Sequence, residues 1–194
     1  MTSDSKGVAL PLLLVCLCVG FASEGSAGSG DSGVIPGSKF GTLGLDYRFS
    51  SGSLFAEEKD YVLPIEPVFR AGTSVFPGIV IGAELALLWT FPTKSNLFFW
   101  TPSFSFGPMA TWLAPRQRRF IQPYASAGGG LTYHTADLIG WRVKMLAGAA
   151  FVTSIPVAPG IEAGWHHDWL KFRYSGEVLT GNTFFLGLRV TGFR

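Results

Sequence analysis

The stretch GIVIGAELALLWTF, Gly78 to Phe91, is apolar almost throughout and carries a single charge, Glu84. Its odd positions hold Ile79, Ile81, Ala83, Leu85, Leu87, Trp89 and Phe91; its even positions hold Val80, Gly82, Glu84, Ala86, Leu88 and Thr90. Bulky side chains keep mostly to one parity and small or charged ones to the other. A β-strand separates odd from even residues, whereas a helix mixes them. The run is also too short for a membrane helix of about 20 residues, yet longer than the roughly 9–11 that a tilted membrane strand needs. It predicts a strand whose two faces meet different surroundings.

The same two-residue rhythm predicts strands over Phe40 to Phe49, Asp60 to Arg70, Asn96 to about Trp112, Phe120 to His134, Trp141 to Thr153, Ile161 to Ser175 and Thr183 to Phe193, eight in all. Within Ile161 to Ser175 the alternation changes phase near His167, which predicts a β-bulge. Between these runs lie short segments rich in turn formers, as sequential antiparallel hairpins require. SSGSLFAEEKD, PTKSN, TADLIG and GEVLTGN fall at one end of the hairpins; AGTSVFPG, APRQRR and IPVAPG fall at the other. No helical period runs through the body of the chain. Eight such strands close into an up-and-down barrel.

Composition bounds the class. Of 194 residues 47% are apolar and only 14% charged, with 25 Gly and 17 Phe; charged residues make up about a quarter of ordinary soluble domains. The formal net charge of +2 leaves no nucleic-acid footprint. At the N-terminus a short polar opening, Met1 to Lys6, precedes the apolar run VALPLLLVCLCVGFA and the small residues SEGSAGSG. That order predicts a cleaved secretory signal over residues 1–27, cut after Ala22 or Ala27. The alternatives are an uncleaved anchor or a lipidated Cys16 or Cys18. Residues 28–38 read as a flexible lead-in and residues 39–194 as the barrel domain. Both cysteines lie within the signal, so the exported chain is expected to carry no disulfide.

Alternation alone leaves two orientations. In a soluble calyx the bulky face lines a cavity for an apolar ligand; in a membrane barrel it meets lipid, and the small and charged face fills the lumen. The second is favoured on three grounds. The glycine-rich parity, including Gly44, Gly82, Gly128, Gly130, Gly148 and Gly187, would make a bare water-facing surface. The charges of that parity come in both signs: Asp46, Glu66, Glu84 and Glu162 against Arg48, Arg70, Arg142, Lys144 and Arg189. Confined together they can pair, whereas isolated charges there would cost several kcal/mol each. Aromatic residues near strand ends (Tyr61, Trp89, Phe91, Trp100, Trp112, Tyr133, Trp141, Trp165 and Trp169) suit two interfacial girdles.

With a signal, eight strands and short hairpins, the chain resembles the small eight-stranded outer-membrane proteins of Gram-negative bacteria. Its closing segment NTFFLGLRVTGF is similar to their C-terminal strand, with Arg194 following the terminal aromatic Phe193. The resemblance implies an all-β, eight-stranded antiparallel up-and-down transmembrane β-barrel in the bacterial outer membrane. It further implies contact with outer-membrane lipid and lipopolysaccharide, and insertion by the machinery that reads the last strand. DYVLPIEPVF and FIQPYASAGGGLTY also resemble, in order, segments of the outer-membrane lipid A deacylases. That family carries a His-x-Ser pair near the end of its seventh strand; here FRYSGE supplies Ser175, but Arg173 occupies the histidine position. Glu177 comes too early for the family's carboxylate. His167 lies roughly 25–30 Å upstream along an extended strand, unless the bulge brings it back. Ser175, Glu177 and His167 are therefore the only candidates for ester hydrolysis, since serine needs an adjacent base.

The remaining motifs favour plain roles. Adjacent His166 and His167 in WHHDW point to opposite faces of a strand, so no metal site is expected. Gly128 to Gly130 lacks the lysine and helix of a phosphate loop and suits close strand packing. Arg116, Arg118 and Arg119 suit either a solvated turn or contact with anionic headgroups. No cofactor is expected. The leading expectation is a non-enzymatic structural or interaction barrel with a side-chain-filled lumen; a lipid A esterase and a soluble carrier are the alternatives.

Overall fold

The computed structural model describes residues 36–55, 65–88, 103–114, 120–134, 138–152 and 157–193. They form eight strands: β1 (Lys39–Ser51), β2 (Ile65–Phe76), β3 (Ile79–Leu88), β4 (Ser103–Leu113), β5 (Ile121–His134), β6 (Leu138–Phe151), β7 (Val157–Phe172) and β8 (Val178–Phe193). Each pairs antiparallel with the next, and β8 returns to pair with β1, closing the barrel. Closure matters because an open sheet would leave a row of unpaired backbone donors and acceptors on its edge. The one helical element among the described residues is a single 3-10 turn, Ser53–Phe55, and no described helix is long and apolar enough to cross a membrane.

Orientation follows from neighbouring residues. Leu188 is 69% exposed and Arg189 is 2% exposed, and the same alternation holds on every strand. Ile79, Ile81 and Leu85 of the opening stretch face outward, while Val80, Glu84 and Ala86 face inward. A soluble calyx is thereby excluded: the large aliphatic and aromatic side chains cover the outside, and the charges fill the inside.

The strands run further than turn-former content suggests. The sequence places AGTSVFPG, TADLIG, IPVAPG and GEVLTGN in turns, yet β2 runs on to Phe76, β6 begins at Leu138, β7 at Val157 and β8 at Val178. Pro159 is tolerated because pairing of β7 with β6 ends at Gly160, so its missing N–H falls where no ladder partner stands. Gly181 and Asn182 pair in register with Asp168 and His167. A long neighbouring strand outweighs their weak intrinsic preference. The bulge expected near His167 is absent: β7 keeps continuous register with both neighbours, and Ile161, Ala163, Trp165, His167 and Trp169 share the outer face. The apparent change of phase came from Leu170 pointing inward and Lys171 outward, the reverse of the expected polarity. A register shift does occur in the β2–β3 hairpin between Ser74 and Phe76. There the Ser74 hydroxyl donates to the Phe76 carbonyl at 2.9 Å, and Gly78, at φ 76°, completes the tight turn.

The glycines of β4 and β5 bring their backbones together. Gly107 and Gly130 both face inward, and a Cβ at Gly130 would collide with the Phe106 carbonyl oxygen and the Gly107 Cα. Pro108, beside them, has no N–H to donate to the ladder. Gly41 of β1, by contrast, has open space around it. Gly130→Ala is therefore expected to destabilise the folded barrel by about 1–3 kcal/mol through overcrowding, and Gly41→Ala by less than about 0.5 kcal/mol. Urea unfolding in detergent micelles, followed by tryptophan fluorescence, compares the two.

Candidate functional site

The interior is the most chemically organised part of the molecule. The nine charges singled out above, Asp46, Arg48, Glu66, Arg70, Glu84, Arg142, Lys144, Glu162 and Arg189, are all buried within the barrel. Five cations among them face only four carboxylates. Asp168, also buried, supplies the fifth. Balance of sign is a physical necessity here, because a charge enclosed without a partner costs several kcal/mol.

Pairing follows the strands first and then crosses the lumen. Arg70 and Glu84 are register partners on β2 and β3, and the Arg70 Nε donates to Glu84 at 2.6 Å. The same guanidinium reaches Glu162 on β7 with two bonds, at 2.7 and 2.8 Å. Such forked pairing is the strongest geometry open to arginine. Lys144 donates to both Glu84 oxygens at 3.0 and 3.1 Å, lies 3.8 Å from Asp46, and stands 4.5 Å over the Phe185 ring. Arg189 bonds both Asp46 and Glu162, and Tyr124 adds its hydroxyl to Glu162 at 2.9 Å. Space for Arg189 comes from two glycines: a Cβ at Gly44 or Gly187 would occupy the volume of its side chain.

A second cluster lies nearer the β7–β8 turn. Arg142 and Asp168 are register partners on β6 and β7, joined at 2.7 and 3.2 Å. Arg142 also donates to Glu66 at 2.9 Å and to Ser105 at 3.3 Å. Arg48 lies 3.1 Å from Glu66, and His166 lies 3.3 Å from Asp168 and 3.4 Å from Arg48. Apolar side chains close both ends. Val80, Met109, Leu113, Leu146, Ala150 and Ala158 pack toward the chain termini, and Leu138 and Leu170 point inward at the opposite end. The lumen is filled by its own side chains.

Asp168 was missed from the sequence, whereas His166 and Tyr124 fall on the polar parity there and were only left out of the charge network. The signal was present: counting even positions onward from Glu162 reaches His166 and Asp168 without interruption, and only the assumed bulge broke the count. The esterase candidates do not come together. Ser175 sits in the exposed β7–β8 turn, where its Oγ accepts from the Glu177 backbone N–H at 3.2 Å. His167 lies on the outer face of β7, with Nδ1 2.8 Å from the Asn182 Oδ1. Its neighbour His166 faces the lumen, and no group of His, Cys, Asp or Glu among the described residues is arranged to hold a metal ion.

The outward aromatics gather toward both rims. Trp112 lies near the short-turn end with Phe76 and Phe151; Trp141 and Trp169, register partners, lie toward the other, with Trp165 and Tyr133 half-buried beside them. Tyr133 stacks on Phe104 at 5.3 Å. Trp89 and Trp100, with Tyr61, Phe91, Arg116, Arg118, Arg119 and the expected N-terminal signal, lie outside the described residues.

No family model matches the chain, and no curated protein matches it. Among solved structures it is similar to Neisserial surface protein A (NspA), at 14% identity and a TM-score of 0.55, covering 79% of this chain and 98% of that one. Weaker matches are the attachment invasion locus protein Ail of Yersinia pestis (13% identity, TM-score 0.42, 81% and 99% covered) and a designed transmembrane β-barrel (15%, 0.41, 81% and 99%). The likeness to NspA is one of fold: a closed eight-stranded, up-and-down transmembrane barrel.

Removing one member of the network should expose the cost of the others. Glu162→Leu takes one of two carboxylates from Arg70 and from Arg189, leaves the Tyr124 hydroxyl without its acceptor, and is expected to destabilise the barrel by about 3–5 kcal/mol. Ser175→Ala, in the exposed turn, is expected to change stability by less than about 0.5 kcal/mol. Chemical unfolding of both variants in the same detergent checks this.

Proposed function

We propose that the protein is an integral outer-membrane barrel of a Gram-negative cell envelope, exported by its N-terminal signal, with a structural or interaction role rather than a catalytic or pore-forming one. The observation that carries this reading is the inverted polarity of the barrel. Leu45, Phe49, Ile81, Phe106, Leu131, Met145, Ile161, Phe184, Leu186 and Leu188 stand on the outside, while five cations and five carboxylates pair within. Water is a poor solvent for such a surface, and an apolar band of this kind is what a bilayer covers. Aromatics at both rims suit the two interfaces. Outer-membrane lipid and lipopolysaccharide would then be its surroundings, and the last strand, ending in Phe193, its insertion signal.

Two features argue for a non-conducting, non-enzymatic role. Eight strands leave room for interior side chains and little else, and here Arg70, Arg142 and Lys144 reach across that interior to bonded partners. The residues that would be needed for ester hydrolysis stand apart on the turn and the outer wall. Activity would then reside in the connections at the end opposite the chain termini, where a partner could be met.

Cell fractionation is expected to recover the protein with outer membranes, and the unboiled sample to migrate faster on gels than the boiled one. Recovery as a detergent-independent periplasmic protein overturns the reading. In planar bilayers it is expected to give no steady conductance. Lipid A isolated with and without the protein should carry the same acyl chains; loss of one acyl chain would establish the esterase instead.

A further inference from the structure

Among the described residues of the outer wall, which also carries Thr73, Thr180 and Lys171, one group of polar and aromatic side chains is joined by hydrogen bonds. On β7, Trp165, His167 and Trp169 are successive residues of the outer face, and Asn182 of β8 is the register partner of His167. The His167 Nδ1 lies 2.8 Å and the Trp165 Nε1 3.2 Å from the Asn182 Oδ1. The His167 ring packs edge-on against Trp169, with centroids 4.1 Å apart, and lies 6.0 Å from the Trp165 ring.

These contacts decide the hydrogen-bonding roles. An indole nitrogen can only donate, so the amide atom facing Trp165 must be the oxygen, since a flipped amide would set donor against donor. An amide oxygen can only accept, so the His167 Nδ1 must carry a proton. In the neutral ring the Nε2 is then an acceptor. Asn182 keeps its two Nδ2 hydrogens. Neither the His167 Nε2 nor the Asn182 Nδ2 has a partner among the described residues.

Height on the wall places this group at a boundary. His167 is ten residues above Val157 on β7. At roughly 3.3 Å per residue and a tilt of about 40° that is about 25 Å, the height of the apolar band of such barrels. Above it on the same face stand Trp169 and then the outward Lys171, with Ile139 and Val178 beside Lys171, so the group lies in the upper part of the wall, below an outward cation.

We infer that Trp165, His167, Trp169 and Asn182 form a surface site for the sugar headgroup of a membrane lipid. The inference rests on the membrane reading above. A hydroxyl is the group that matches a fixed donor beside a fixed acceptor: it accepts from the Asn182 amide and donates to the His167 Nε2. A phosphate diester offers only acceptors and would meet the imidazole lone pair. A quaternary ammonium has nothing to give to either. The indole faces supply the apolar surface on which a sugar ring's C–H groups rest.

The test uses the full chain inserted into nanodiscs of phosphatidylethanolamine and phosphatidylglycerol, with or without one part in ten of glucosyl diacylglycerol. Native mass spectrometry after detergent release counts the lipids retained on each barrel. Glucosyl lipid is expected to be retained about tenfold above its share of the bilayer, and His167→Phe and Asn182→Leu to remove that enrichment. Each substitution deletes one of the two hydrogen bonds and keeps an apolar outer wall, so the barrel should still fold, as gel migration without boiling will verify. Ile161→Ala, lower on the same face, is expected to leave the enrichment intact. Retention in proportion to bilayer composition, preferential retention of either phospholipid, or enrichment unchanged in the His167 and Asn182 variants each overturns the inference. Failure of the wild-type chain to enter nanodiscs at all would instead overturn the membrane reading.

Discussion

A guanidinium or carboxylate enclosed by a tube of β-strands has no solvent to turn to, and that cost organises the rest of this molecule. Each buried arginine is met by at least two partners: Arg70 by Glu84 and Glu162, Arg142 by Asp168, Glu66 and Ser105, Arg189 by Asp46 and Glu162. Glu162 accepts from Arg70, Arg189 and Tyr124 at once. Because each bond relieves a desolvation cost already incurred by its neighbours, the network acts as a unit. With Ser105 on β4 and Tyr124 on β5 it links all eight strands across the lumen, where an apolar core would link them by contact alone.

Room for that network comes from residues with no side chain. Gly44 and Gly187 flank Arg189, and the Tyr124 ring lies where a Cβ of Gly148 would project. Long and absent side chains thus alternate around the inner wall, the interior counterpart of close packing in a soluble core. The glycine content that would weaken an ordinary sheet is here a condition for filling a narrow tube. Among the described residues the interior is occupied by its own side chains.

The outer wall is apolar over most of its described surface, and His167 and Asn182 are outward polar residues bonded to one another there. Trp165 joins the pair through Asn182. A polar pair facing lipid deep in the band would be costly. Near the rim, in the site proposed above, its pattern of one donor and one acceptor would be offered to headgroups. The same backbone alternation that hides ten charges inside places this pair outside.

How much of this was legible in the chain depends on the range of the interaction. A strand's parity is local, so the alternation in Gly78 to Phe91 was enough to assign Glu84 to one face and Ile79, Ile81 and Leu85 to the other; the eight strands and the nine lumen charges followed by counting. Where counting failed, at Asp168, a polar-looking outer residue had been mistaken for a break in the pattern. Strand ends were misjudged at Val157 and Val178 because pairing with a long neighbour overrides turn propensity, and that neighbour is not visible locally. What only the tertiary structure decided is who pairs with whom. Arg70 and Glu84 are 14 residues apart, but Arg189 and Asp46 are 143 apart. Their meeting depends on the register in which β8 closes on β1, a property of the whole ring of strands and of no single one.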